Sequence, residues 1–119
     1  MKKLFIAAFM FVSTFTSNVF ADGHAIKMGI ILGFTGPIES LTPAMAASAE
    51  LAFKEASDSG SLLGGKKIEV VRADSTCVDS AAATAAAEGV ISQGVAAIMG
   101  ADCSGVTGAI ASMLLYQMV

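Results

Sequence analysis

Residues 100–107, with the sequence GADCSGVT, carry the residue types best suited to binding a small anion. They follow a short apolar stretch and precede a helical pattern, so we expect them to form a loop that opens a helix. Such a loop presents unpaired backbone N–H groups and the positive end of the helix dipole, which together attract a carboxylate. Ser104 can donate its hydroxyl to that ligand or merely cap the helix, and the residues alone leave both roles open.

The same segment partly matches the phosphate-binding template GxxxxGK[ST] through Gly100, Gly105 and Thr107. Residue 106 is Val, whereas the template needs a Lys to place positive charge at the phosphates. A nucleotide-dependent α/β enzyme is therefore the weaker alternative. The chain also has no GxSxG, CxxC, HExxH or GxGxxG motif. We therefore expect that the protein is not an enzyme and needs no cofactor.

The two cysteines, Cys77 and Cys103, each follow the end of a predicted strand. In an exported chain the default expectation for such a pair is a disulfide. Closing a loop of about 26 residues would stabilise the fold by roughly 3.5 kcal/mol in the chain-entropy model. The only histidine, His24, lies far from these cysteines in the sequence, so we expect no metal site.

Asp74, Asp79 and Asp102 also fall near the ends of predicted strands. Three carboxylates could bind a cation or an ammonium group, but helix capping and solvated loops explain them equally well. Thr35 lies in the sequence GFTGP at the end of the first strand. It could line a cleft, or the segment could be an ordinary Gly-Pro turn.

Three predicted strands alternate with three predicted helices. The strands cover residues 26–32, 67–73 and 95–99, and the helices begin near residues 42, 80 and 106. The first strand is apolar on both faces, which is typical of a parallel sheet covered by helices. The alternation predicts an α/β fold with a doubly wound parallel sheet, right-handed crossovers and strand order 2-1-3.

The first helix has its own pattern of polar and apolar residues. Thr42 is the predicted N-cap, and Glu50 and Lys54 are spaced for an ion pair along the helix. The predicted core face consists of Met45, Ala49, Ala52, Phe53 and Ala56.

Residues 1–21 have the pattern of a secretion signal: two lysines, an apolar run over residues 4–12, and a cleavage site between Ala21 and Asp22. The apolar run is less than half of the about 20 residues that a membrane span needs, so we expect no stable membrane anchor. The remaining chain has five basic and ten acidic side chains and a net charge of −5. This charge gives it no reason to bind nucleic acid or anionic lipid.

Three stretches carry a family resemblance: IKMGIILGFTGPIESLTPAMAASAELAFKEA, GGKKIEVVRADSTC and AAIMGADCSGVTGAIA. Together they resemble the periplasmic leucine/isoleucine/valine-binding proteins, the type I solute-binding components of ABC transporters. The resemblance implies a periplasmic protein of two lobes that close on a ligand and deliver it to a permease in the inner membrane. Residues 22–119 would then be the N-terminal part of the first lobe of a longer protein. The ligand-binding domain of a sensory receptor is an alternative with the same fold.

The resemblance also implies a ligand and a binding site. The ligand would be an amino acid of the branched-chain type or a related small carboxylate. Ser104 would hold its carboxylate through the hydroxyl and the backbone N–H. Asp102 and Cys103 would line the site, and Thr107 completes the same G-x-x-C-S-G-x-T motif. Where the family places an aromatic ring over the ligand, this chain has Leu41. The spacing of the two cysteines also resembles the disulfide of the amino-acid-binding members.

Overall fold

The computed structural model describes residues 25–118, so the predicted signal peptide and its cleavage site lie outside the described residues. Three strands alternate with three helices, and a 3-10 turn at Leu62–Gly64 follows the first helix. The elements are β1 (Ile26–Leu32), α1 (Thr42–Asp58), β2 (Ile68–Asp74), α2 (Ser80–Ser92), β3 (Ala97–Gly100) and α3 (Ser104–Gln117). Over residues 25–118 no helix combines the length and the apolar content that crossing a membrane requires.

The strands form one parallel sheet in the order β2-β1-β3, which confirms the predicted α/β class and strand order. The bounds of β1 agree with the prediction, whereas β2 starts one residue later and β3 two residues later. β3 starts later because regular pairing with β1 begins only at Ala97. Before that point, the N–H of Ala96 donates a hydrogen bond to the carbonyl of Lys27 at 2.8 Å. Regular pairing continues as far as Gly100, which lies opposite Ile31.

The central strand β1 is covered on both faces because successive side chains of a strand point to opposite sides. Ile30 and Leu32 pack against α1, and Ile31 packs among residues of α2 and α3. All three side chains are essentially inaccessible to solvent. Gly29 lets α2 approach closely, because a Cβ at that position would lie only 2.6 Å from Cγ1 of Val90.

The core face of α1 differs from the predicted one. Ala46 is fully buried against the sheet, whereas Met45 and Ala52, both predicted to lie in the core, are exposed. Ala49 and Phe53 do pack against the cluster around Ile30 and Leu32. Many small apolar residues in α1 make several faces look equally suited to burial, and the contact with the sheet selects one of them.

The predicted ion pair between Glu50 and Lys54 is wrong. Glu50 instead binds Arg72 of β2 with both oxygens, at 2.5 Å from Nε and 2.7 Å from Nη2, and Lys54 pairs with Asp58. A guanidinium offers two parallel donors to a carboxylate, which a single ammonium group does not. The hydrogen bonds and charge of Arg72 hold the pKa of Glu50 below its ordinary value. This pair fastens α1 to the sheet.

Candidate functional site

Three loops meet at the edge of the sheet where the parallel strands end. They connect β1 to α1, β2 to α2 and β3 to α3, and this edge is where open α/β sheets bind ligands. The N–H of Ser75 donates to the carbonyl of Leu32 at 2.9 Å. That bond carries the pairing of β1 and β2 one residue beyond β2 and brings the β2–α2 loop over the end of β1.

A disulfide joins Cys77 and Cys103, consistent with the predicted pairing, and their Cα atoms lie 5.2 Å apart. Because β2 and β3 are not neighbours in the sheet, the two loops must cross the end of β1 to form this bond. Gly33 lies beneath the crossing, and a Cβ at that position would be 3.1 Å from the Cβ of Cys77. The disulfide therefore places the residue before Ser104 directly above the central strand.

The carboxylate of Asp102 points into the loops. One oxygen accepts the N–H of Gly33 at 2.9 Å, and the other accepts the hydroxyl of Ser75 at 3.4 Å. Both oxygens of this predicted ligand-lining residue are thus bonded within the protein. Ser75 is not among the predicted site residues, although it is fully buried. Its only signal in the sequence is a small polar side chain directly after a strand.

Asp74, the last residue of β2, holds the β1–α1 loop in place through Thr35. It accepts the hydroxyl of Thr35 at 2.5 Å and the N–H groups of Thr76 and Thr35 at 2.8 and 3.3 Å. Partial burial raises the pKa of Asp74, but these donors together outweigh burial and set the pKa below its ordinary value. The Thr35 hydroxyl, considered as a lining group for a cleft, therefore binds within the loop.

Asp79 caps α2 by accepting the N–H groups of Ala81 and Ala82 at 2.9 and 3.0 Å, as the capping interpretation predicted. Asp74, Asp79 and Asp102 thus accept hydrogen bonds from different donors within the protein. Within residues 25–118, no three His, Cys, Asp or Glu side chains gather in a way that could hold a metal ion.

The start of α3 lacks such a cap. Cys103 is the N-cap residue, and no side chain in the described part of the chain accepts a first-turn N–H. Ser104 is the first residue of the helix and is exposed, so the interpretation of Ser104 as a simple cap is wrong. Val106, which stands where a phosphate loop needs Lys, is 1% exposed and lies in the core, which argues against a nucleotide site.

The remaining predicted residues lie near this helix start or at the start of α1. The hydroxyl of Thr107 donates to the carbonyls of Ala101 and Cys103 at 3.1 and 2.9 Å and so shapes the loop. Leu41 is the N-cap residue of α1 and is 60% exposed. Thr42 is not the predicted cap but the first helical residue, and its buried hydroxyl donates to the carbonyl of Gly33 at 3.0 Å.

Comparison with known proteins gives both a family and a structural relative. A family model described as periplasmic binding protein matches residues 25–117. A search of curated proteins finds no match. Among solved structures, the chain is similar to the branched-chain amino acid transporter substrate binding protein LivJ from Streptococcus pneumoniae str. Canada MDR_19A, in complex with isoleucine. The identity is 29% and the TM-score 0.68, over 78% of this chain and 26% of that chain.

These comparisons agree with the architecture described above. The parallel sheet with helices on both faces matches the lobe of a type I periplasmic binding protein. The family and the matched structure are both binding proteins, in agreement with the expectation that the chain is not an enzyme. The chain spans about a quarter of the length of the matched protein. Because the family model covers nearly every described residue, the chain belongs to the periplasmic binding protein family.

Proposed function

We propose that the protein is the periplasmic solute-binding component of an ABC importer and captures a branched-chain amino acid or a related small carboxylate. Residues 1–21 direct export, and residues 22–119 form the N-terminal part of the first lobe. A second lobe closes over the ligand, and the loaded protein docks on a permease in the inner membrane. Support comes from the family assignment and from the similarity to LivJ, whose solved structure contains isoleucine.

The observation that carries this proposal is the open N-terminus of α3. Its first-turn N–H groups have no side-chain acceptor among residues 25–118, and Ser104 is exposed beside them. Unpaired N–H groups and the positive end of the helix dipole favour an anion. In the complex, the ligand carboxylate accepts the hydroxyl and the N–H of Ser104.

The acidic side chains around the site do not compete for these donors. Asp79 is bonded to the start of α2, and Asp102 is bonded to Gly33 and Ser75. The ligand is therefore the group that completes the start of α3. No covalent bond is made or broken when the ligand binds or is released. Closure of the second lobe removes water from the carboxylate, which strengthens its hydrogen bonds and its attraction to the helix dipole.

The aliphatic part of the ligand needs an apolar surface on the same edge of the sheet. Cys103, in its disulfide, lies next to Ser104, and Leu41 offers an exposed aliphatic side chain at the start of α1. We assign both residues to the ligand side chain. Thr107 acts on the ligand indirectly, since its hydroxyl donates to two carbonyls of the loop and so holds the loop in shape.

Calorimetry on the intact protein tests this function. We expect binding of L-isoleucine, L-leucine or L-valine, and no measurable binding of isoleucinol, which lacks the carboxylate. Ser104→Ala should weaken amino-acid binding by roughly 1.5–3 kcal/mol, the scale of a hydrogen bond to a charged group. Ser112→Ala is the matched control, because its exposed hydroxyl on the same helix donates only to the carbonyl of Gly108.

Two results would contradict the proposal. If the intact protein binds no amino acid or organic acid, the protein does not have this function. If Ser104→Ala binds as tightly as the wild type while isoleucinol fails to bind, the carboxylate is held elsewhere.

A further inference from the structure

We infer that Asp102 is a positioning residue of the proposed ligand site: its carboxylate fixes the loop that sets Ser104 in place and does not contact the ligand. This inference rests on the proposed function and assigns a role to the hydrogen bonds that Asp102 accepts from Gly33 and Ser75. The family resemblance places Asp102 among the residues that line the ligand, whereas the contacts of its carboxylate point to this different role.

The contacts of Asp102 join the ends of all three strands. Gly33 follows β1, Ser75 follows β2 and Asp102 follows β3. One oxygen of Asp102 accepts the N–H of Gly33 at 2.9 Å, and the other accepts the hydroxyl of Ser75 at 3.4 Å. A single carboxylate, two residues before Ser104, therefore holds the β3–α3 loop against both other loops.

Burial makes these contacts costly to lose. Ser75 is fully buried, and Asp102 is partly buried. Without the carboxylate, the hydroxyl of Ser75 and the N–H of Gly33 lose the side-chain acceptor that they share. A buried donor without an acceptor keeps its full desolvation cost, so the loops would shift to find new partners or water. Such a shift moves Ser104, because only Cys103 separates it from Asp102.

The charge of Asp102 also argues against direct ligand contact. A carboxylate facing the pocket would repel the carboxylate of an amino acid. With both oxygens bonded to donors inside the loops, Asp102 is held away from the anion that the start of α3 favours. The same orientation that builds the site thus reduces the repulsion within it.

Other links in the loop do not replace this one. The disulfide fastens Cys103 to the β2–α2 loop, and the hydroxyl of Thr107 binds carbonyls within its own loop. Asp102 adds the hydrogen bond to the end of β1. The central strand is the most buried part of the sheet, so this bond ties the site to the core of the fold.

Calorimetry with L-isoleucine on the intact protein tests the inference through two substitutions at one position. Asp102→Ala should weaken binding about tenfold, which corresponds to about 1.4 kcal/mol. Asp102→Asn should stay within about threefold of the wild type, since its amide oxygen can still accept the 2.9 Å bond from the N–H of Gly33 and only the longer bond from the Ser75 hydroxyl loses its acceptor. If Asp102→Ala does not fold, Ser75→Ala, which removes one of the two donors, should weaken binding about threefold.

A double-mutant cycle separates positioning from a general loss of stability. If Asp102 acts through Ser104, then adding Asp102→Ala to Ser104→Ala should cost less than the tenfold seen alone, because the Ser104 hydroxyl is already gone and only the backbone N–H remains to be misplaced. Independent effects in the cycle, or an Asp102→Ala protein that binds like the wild type, would overturn the inference. If Ser104→Ala weakens binding in that case, the proposed function survives and only the role of Asp102 fails.

Hydrogen exchange tests the positioning role of Asp102 in the absence of ligand. The N–H of Thr107 makes the first helical hydrogen bond of α3, to the carbonyl of Cys103 at 2.9 Å. It should exchange faster in Asp102→Ala and near the wild-type rate in Asp102→Asn. If the intact protein binds no amino acid, the proposed function fails, and unchanged exchange at Thr107 in Asp102→Ala would overturn the positioning role as well.

Discussion

Helices α2 and α3 start at the same edge of the sheet, after β2 and β3, yet their first turns are completed differently. At the start of α2, Asp79 accepts the N–H groups of Ala81 and Ala82. At the start of α3, the N-cap residue is Cys103, and within residues 25–118 no side chain accepts a first-turn N–H. A helix start that its own carboxylate completes is structural, whereas an open one can take the carboxylate of a ligand.

Two other acidic residues at this edge of the sheet are used differently from Asp79. Asp102 precedes the helix but turns its oxygens to Gly33 and Ser75, and Asp74 binds Thr35 and Thr76. Both carboxylates hold loops in place, and neither fills the helix start. Aspartate therefore caps a helix or holds loops together according to which donors the fold brings near it.

The largest expected effect comes from removing the bond that ties the two helix starts together. Replacing both Cys77 and Cys103 with Ser should lower the free energy of unfolding by roughly 3.5 kcal/mol, because the unfolded chain regains the entropy of an open loop. Urea denaturation measures this change. The wild type with a reductant should match the double variant, and a loss below about 1 kcal/mol would mean that the loops hold together without the disulfide.

A smaller effect is expected at the start of α2. Asp79→Ala should lower the free energy of unfolding by about 1 kcal/mol, because two N–H groups lose their acceptor. Amino-acid affinity should not change, since this helix start is already complete without a ligand. Glu88→Ala, an exposed position on the same helix, is the control and should alter neither quantity. A fall in affinity as large as that of Ser104→Ala would contradict the claim that only the start of α3 binds the ligand.

The smallest change in stability is expected when a carboxylate is added to the first turn of α3. Ser104→Asp places a carboxylate at the open helix start and should raise the free energy of unfolding by about 0.5 kcal/mol. The same substitution should abolish amino-acid binding, because the new side chain occupies the donors and repels the ligand carboxylate. Ser112→Asp, on the same helix but away from its start, should produce neither effect. Retained binding in Ser104→Asp would show that the ligand does not use this helix start.

Much of the fold could be predicted because its signals are local. The apolar run of β1 gave the correct strand bounds, and the alternation of strands and helices gave the sheet order. On α3 the apolar residues Val106, Ile110, Met113 and Leu114 recur at helical spacing, and all four contact the same core cluster, Val106 and Ile110 as buried members. The face of α1 was not predictable in the same way, because its many alanines mark no single apolar side.

The order of the residues was enough to predict the α/β alternation and the cap at Asp79, since each depends on neighbours within a few positions. Anion binding by residues 100–107 stays a prediction. The direction of Asp102 and the partner of Glu50 required the folded chain. Asp102 meets donors 69 and 27 residues away, and Glu50 meets Arg72 22 residues away. Such partners come within reach only after the sheet has formed, because hydrogen bonds act over about 3 Å and no local repeat records them.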